Sequence, residues 1–219
     1  MNADPLTRPG ITRKTLIDEG IRHVSGEEAV ARIGFDVSGL AIPYHTIGGR
    51  PLEVKGKHFH RVRLDEPKGG AKYLSPKDSG AQPYIPTSHR AQPILILTEG
   101  EFKALALCEA GFFAVGLGGI TSGLHDGKLL PALAGLIEKK AVSTVAFLGD
   151  ADTALIYDFA NEAAKLRKAL PPSVRLILPR VPFTGPKGID DTREAMGESF
   201  NGFMQEILAA AVEVPEKSN

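Results

Sequence analysis

Residues 93–119 read PILILTEGEFKALALCEAGFFAVGLGG, and residues 143–153 read STVAFLGDADT. Each begins with a short, almost wholly apolar run, ILIL or VAFL, and a third run, RLIL, follows at residues 175–178. Runs of this length suit parallel strands covered on both faces, where no solvent side demands alternating polar residues. Between them lie EFKALALCEAG, LLPALAGLIEKK and ALIYDFANEAAKLRKAL, whose apolar spacing and strong helix formers predict helices. Strands alternating with helices imply parallel βαβ units, hence an α/β domain with a helix-flanked sheet.

The residues just past these runs are acidic. The first ends at Glu99-Gly100, the second at Asp150-Ala151-Asp152, and beyond the third stands Lys187-Gly188-Ile189-Asp190-Asp191, read as an acidic turn. In open parallel sheets ligands gather outside the carboxyl ends of the strands. Neighbouring strands lie about 4.8 Å apart and alternate residues about 6.5 Å apart, so acids from two strand ends can reach one cation. Clustered carboxylates repel and raise one another's pKa unless a hard cation such as Mg²⁺ or Mn²⁺ supplies positive charge. Any one of these acids alone reads equally well as a helix cap or strand terminator. The combination, in this order in one βαβ series, favours metal.

Working outward, the upstream chain changes character. Thr12 before RKTLIDEGI and Ser25 before GEEAVARIGF are hydroxyl caps ahead of spaced apolar residues, predicting helices over 13–19 and 26–33. Between residues 39 and 86 short β-like pieces (LAIPYHTI, LEVKG, HFHRVRL, KYLSP) are separated by glycine and proline punctuation. The expected organisation is a helical segment over 1–38, a small β-rich subdomain over 39–91, the α/β domain over 92–212, and a frayed tail over 213–219.

Charge adds a second theme. The chain of 219 residues balances 26 Lys and Arg against 26 Asp and Glu, so a nucleic-acid surface requires local segregation of charge. Such segregation occurs at residues 50–72, where Arg50, Lys55, Lys57, Arg61, Arg63, Lys68 and Lys72 face only Glu53, Asp65 and Glu66. A positive strip beside an acidic centre suits a polyanionic strand. Arg61 and Arg63 alternate onto one strand face, as do His58 and His60, which are better read as surface residues than as metal ligands. Lys103, one helical turn past Glu99, and Lys187 are candidate phosphate or nucleotide contacts. Gly116, Gly118 and Gly119 suit either a phosphate-approaching backbone or a tight turn. The single cysteine, Cys108, lies in an apolar periodic run and excludes a disulfide framework or a cysteine-rich zinc site built from this chain alone. With no signal-like start and no membrane-length apolar run, a soluble cytoplasmic protein is expected.

The stretches LTEGEFKALALCEAGFFAVGLGG, STVAFLGDADT and GPKGIDDTREAMG together resemble the Toprim domain of bacterial and phage primases, which topoisomerases and some nucleases share. Upstream, LAIPYHTIGGRPL, HRVRLDEP and AKYLSPKDSGAQPYIPTSH resemble the small subdomain preceding Toprim in DnaG-type primases. The closest likeness is to Toprim-like domains of unknown function in phage and plasmid primase-helicases, where a lysine follows the Glu-Gly, here Lys103. The resemblance implies Glu99 as metal ligand or general acid/base and Asp150 and Asp152 as metal-binding aspartates, with Asp190 as a further acidic ligand. It also implies Arg61, Arg63 and Lys72 on the nucleic-acid strand, and a cleft between the two parts. The implied activity is primase-like nucleotidyl transfer in DNA replication, with single-stranded DNA and nucleoside triphosphates as substrates and a replicative helicase as partner. A phosphodiester-cleaving nuclease and an inactive nucleic-acid-binding module of a mobile-element replication complex are the alternatives. The chain departs from such primases in lacking a cysteine-rich zinc module and a Walker loop.

Overall fold

A computed structural model describes residues 4–216. By internal contacts the chain divides into two units, one ending at Gly80 and the other beginning at Ala81.

In the first unit the two capped segments fold as α1 (Arg13–Asp18) and α2 (Gly26–Ile33), separated by β1 (Arg22–Val24). Thr12 caps α1 by accepting from the Thr15 N–H, and the Glu28 carboxylate accepts from the Ser25 N–H at 3.0 Å, closing the N-terminus of α2. Then come β2 (Gly39–Pro43), a two-stranded ribbon of β3 (Glu53–Val54) and β4 (Lys57–His58), β5 (His60–Lys68) and β6 (Ala71–Leu74). An antiparallel sheet forms in the order β1-β2-β5-β6. Its inward residues Val24, Ala41, Val62 and Leu64 meet Ala29 and Ile33 of α2. Alternation along β5 therefore turns Arg61 and Arg63 to the other face.

The second unit contains β7 (Ile94–Glu99), α3 (Glu101–Glu109), β8 (Ala114–Leu117), a hairpin of β9 (Leu124–His125) and β10 (Lys128–Leu129), and α4 (Pro131–Lys139). It continues with β11 (Thr144–Leu148), a 3₁₀ turn over Ala151–Leu155, α5 (Tyr157–Ala169), β12 (Arg175–Leu178), α6 (Ile189–Met196), α7 (Phe200–Ala209) and β13 (Val212–Glu213). The sheet order is β13-β12-β11-β7-β8, parallel throughout except for β13, which pairs antiparallel with β12. Leu95, Ile96, Leu97 and all of β11 are buried, as expected of strands covered on both faces. Each fully buried Leu or Ile contributes about 1.5–3 kcal/mol relative to exposure. Phe147 stacks on Phe159 of α5 at 4.5 Å, and Arg193 of α6 donates to the Ala106 carbonyl at 2.9 Å, fastening α6 to α3.

Four features differ from the sequence reading. Asp190 and Asp191 occupy the first turn of α6 rather than an acidic turn, because Gly188 serves as the cap and Ile189 and Thr192 are buried on one helix face. The division falls after Gly80, ahead of the expected boundary. The reason is that Tyr84 already exchanges backbone hydrogen bonds with Gly116 of β8, at 2.8 and 2.9 Å. The expected tail begins inside the sheet, where Glu213 of β13 accepts from Arg175 at 2.7 and 3.0 Å; its last residues, 217–219, lie outside the described part. His58 and His60 sit on different strands, β4 and β5. Among the described residues no helix is long and apolar enough to cross a membrane.

Candidate acidic site at the strand ends

The second sheet reverses direction at β7: the chain moves first to β8 on one side, then to β11 and β12 on the other. The crevice outside the carboxyl ends of β7 and β11 is therefore its topological switch point. Glu99 ends β7 and is exposed there, while Asp150 follows β11 by one glycine. Register aligns the two strands, Leu148 lying opposite Thr98.

Close packing of backbone fixes the Glu99 end. Gly100 has φ 96°, a conformation side chains resist, and its N–H donates to the Leu117 carbonyl at 2.7 Å. Gly116 of β8 passes so near that a Cβ there would lie 2.6 Å from the Gly100 oxygen. Gly116 is buried within a strand, so its place is a packing position and not a phosphate contact.

Two lysines reach into the acids. Lys103, in α3, donates to Asp150 Oδ1, and both side chains are largely buried, at 19% and 21% exposure. Lys187 pairs with Asp152 Oδ2 at 2.7 Å, both more than half exposed. The Ala151 N–H donates to the Lys187 carbonyl at 2.9 Å, so the loop before α6 is tied to the Asp150-Ala151-Asp152 turn. The hydrogen bond and charge of Asp152 raise the Lys187 pKa above its ordinary value, with Asp150 and Glu99 adding to the effect.

Asp190 enters from α6. Burial raises its pKa, the charge of Lys103 opposes that rise and Asp191 adds to it; Asp190 Oδ1 is buried without a hydrogen-bond partner. A Cβ on Gly188 would fall 2.5 Å from Asp190 Oδ1 and 3.3 Å from Lys103 Cε, so the two side chains converge over this glycine. Glu99, Asp150, Asp152, Asp190, Lys103 and Lys187 thus gather at one end of the sheet. Neither lysine–aspartate pairing is visible in sequence, since the partners come from separate elements.

All the acidic donors are carboxylate oxygens, the chemistry a hard divalent cation prefers. The arrangement as it stands is pairwise, each Asp of the turn engaged by one lysine. Among the described residues no three His, Cys, Asp or Glu are close enough together to hold a metal jointly.

In the first unit the Arg61 guanidinium lies over the Tyr73 ring at 4.8 Å, and Arg63 stands directly opposite Tyr73 in register. Arg8 joins them. Burial lowers its pKa from the ordinary value and the charge of Arg63 lowers it further. Arg8 and Tyr73 were not foreseen as members of this cluster, because only the β5–β6 register brings Tyr73 beneath the arginines. Lys72 precedes Tyr73 on β6, and alternation sends it to the opposite face, away from Arg61 and Arg63. The His60 pKa is lowered by burial, with its Nδ1 against the His58 carbonyl at 3.1 Å.

Residues 86–199 match the family model described as Domain of unknown function (DUF3854). No curated protein matches the chain. Among solved structures it is similar to the Aquifex aeolicus primase, zinc-binding and RNA polymerase domains. That match has a TM-score of 0.65 at 18% identity and covers 94% of this chain and 54% of that one. A DNA primase domain from Pseudomonas aeruginosa gives 0.67 at 17% identity, covering 93% and 70%. A DnaG primase catalytic domain bound to ssDNA gives 0.60 at 18% identity, covering 93% and 69%. The fold is that of primase catalytic cores, and the chain spans about half the length of the Aquifex protein.

Proposed function

The chain belongs to the family of the domain of unknown function DUF3854, and from that starting point we propose that it is a Toprim-type, primase-like nucleotidyltransferase core. It acts on single-stranded DNA in replication of the phage or plasmid kind. The observation that carries this reading is the convergence of Glu99, Asp150, Asp152 and Asp190 with Lys103 and Lys187 at the switch point of the sheet. The likeness in fold to a primase domain bound to ssDNA supports it.

Glu99, Asp150, Asp152 and Asp190 are the residues that would hold Mg²⁺ or Mn²⁺, once the lysines release Asp150 and Asp152 and the carboxylates draw together. When bound, the cation neutralises triphosphate charge and favours attack of a hydroxyl on the α-phosphate. The rest belongs to the chain itself. Glu99, exposed at the strand end, would either hold the cation or accept the proton of that hydroxyl. Lys187 stands at the solvent side and would leave Asp152 for a phosphate oxygen, since an exposed ion pair is weak and screened by water. Arg61, whose guanidinium lies over the Tyr73 ring, and Arg63, opposite Tyr73 in register, would offer guanidinium groups to a strand backbone.

The test is a priming assay: labelled nucleoside triphosphates and single-stranded DNA with Mg²⁺ or Mn²⁺, run beside a nuclease assay on the same DNA. Template-dependent oligonucleotides that vanish with Asp150→Asn are the expected product. Cleavage without synthesis would replace the reading with a nuclease, and binding alone would replace it with a non-catalytic module.

A further inference from the structure

The cations that the sequence groups into one strip are divided by the fold. Arg61 and Arg63 lie on the sheet face turned away from α2, whereas Lys55 and Lys57 border a cleft on the α2 side, together with Arg32, His58 and Lys77. The cleft measures about 320 Å³ and is lined wholly by the first unit. Val30 and Ile33 of α2, Val54 of β3 and Pro76 give it an apolar wall, and Val30 is 47% exposed. Among the described residues no carboxylate lines it. His58 pairs with Glu53 at 3.5 Å, but among the described residues no ion pair engages Lys55, Lys57 or Lys77. Arg32 is fixed by one of its five N–H groups, which donates from Nη1 to the Glu28 carbonyl at 2.7 Å. The turn joining β3 to β4 has Lys55 at φ 53° and Gly56 at φ 74°, the left-handed pair for which Asn-Gly is the favoured sequence. A lysine in the first of these places sets a charge at the tip of the ribbon against the preference of its own backbone.

We propose that this cleft binds a nucleotide, its phosphates against Lys55, Lys57 and Lys77 and its base and sugar against the apolar wall. Lysines are compact point charges suited to phosphate, and the Arg32 guanidinium adds planar donors beside them. The pairing of a cationic rim with an apolar wall matches a ligand that is anionic at one end and flat and weakly polar at the other. The volume falls at the lower end of clefts that hold small ligands, about 300–1,000 Å³. An acidic helix of two turns, about 10 Å wide and about 11 Å long, would need more than twice that space. The ligand is a free nucleotide or the phosphorylated end of a nucleic-acid strand, which share this chemistry. The cleft belongs to the other unit from the acidic strand ends and uses neither carboxylate nor metal, so its test is independent of the function proposed above.

The experiment is calorimetric titration of the full chain with ATP in chelator, comparing wild type with Lys55→Asn/Lys57→Gln and with Lys14→Gln/Lys68→Gln. The second variant removes the same charge from the first unit outside the cleft. Asn accepts the left-handed backbone at residue 55, so the cleft variant should melt no lower than wild type. Its ATP affinity should fall by about tenfold, the scale of two exposed ion pairs, while the control variant binds as wild type does. Equal affinity in wild type and the cleft variant, or an equal loss in the control, would overturn the proposal. Val30→Ser should weaken ATP binding and leave inorganic tripolyphosphate unaffected; no change with ATP would overturn the assignment of the apolar wall to base and sugar. Polyglutamate bound by wild type as tightly as ATP would overturn the proposal in favour of an acidic protein segment. Displacement of ATP by a 5′-phosphorylated oligonucleotide, but not by its unphosphorylated twin, supports the proposal with a strand end as ligand, and displacement by neither supports it with a free nucleotide. Displacement by both alike would overturn it, since the cleft would then be reading strand charge alone.

Discussion

Gly116→Ala probes the packing that fixes Glu99. The added methyl would sit 2.6 Å from the Gly100 oxygen, 3.1 Å from its carbonyl carbon and 3.2 Å from Glu101 Cα. All three obstacles are backbone, so no flexible side chain can swing aside. To reach even 3.0 Å the Gly100 carbonyl must retreat by about 0.4 Å, against the Gly100 N–H bond to Leu117 and the paired bonds between Gly116 and Tyr84. Overpacking of this kind costs about 1–3 kcal/mol. Loss of glycine freedom in the unfolded chain returns about 0.4–1 kcal/mol, so the clash wins by about 1–2 kcal/mol. For a chain of this size that lowers Tm by about 2–8 °C. Circular dichroism melting measures it, and Mn²⁺ affinity should fall too, since Gly100 follows Glu99 directly. A variant as stable as wild type, with unchanged Mn²⁺ affinity, would refute the claim that this contact positions the site.

Two further outcomes are expected. Burial raises the Asp190 pKa in the folded chain, so its contribution to stability is full below the unfolded value of 3.8 and is lost as pH rises through the higher folded value. Asp190→Asn in metal-free buffer should therefore melt higher than wild type at pH 7, and the gain should disappear near pH 3; urea unfolding across that range checks it. In the first unit, Arg61→Ala with Arg63→Ala should weaken single-stranded DNA binding and reduce the slope of log affinity against log salt by about 1.4, the value for two phosphate contacts. An unchanged slope in fluorescence anisotropy would remove both arginines from the strand.

The sheet was legible because parallel strands, buried on both faces, carry a signal that needs no partner: ILIL, VAFL and RLIL are strands wherever they lie. The acids at their ends were legible for the same reason, position in a βαβ series fixing which edge they occupy. Helix α2 was legible to the residue because Ser25 and Glu28 close its start locally. By contrast, α6 follows a stretch rich in glycine and proline, and its acidic first turn reads as a loop until Ile189 and Thr192 find their core. Strand β1 has three residues, too few for a periodic signal. The Tyr84 bridge is made by backbone alone and leaves no mark in side-chain chemistry. The lysine–aspartate pairs are long-range: Lys103 and Asp150 meet only once β7 and β11 lie side by side, and composition cannot distinguish a lysine aimed at phosphate from one committed to a carboxylate.

The central claim is that Asp150 and Asp152 are there for their charge and not as caps. Replacing both by Asn keeps their shape and most of their hydrogen-bonding capacity but removes the anions a hard cation needs. Calorimetric Mn²⁺ titration of wild type and Asp150→Asn/Asp152→Asn tests this directly. The predicted result is loss of Mn²⁺ binding in the double variant, with both proteins still folded in chelator by their melting curves. Equal Mn²⁺ affinity in the two proteins would contradict the account.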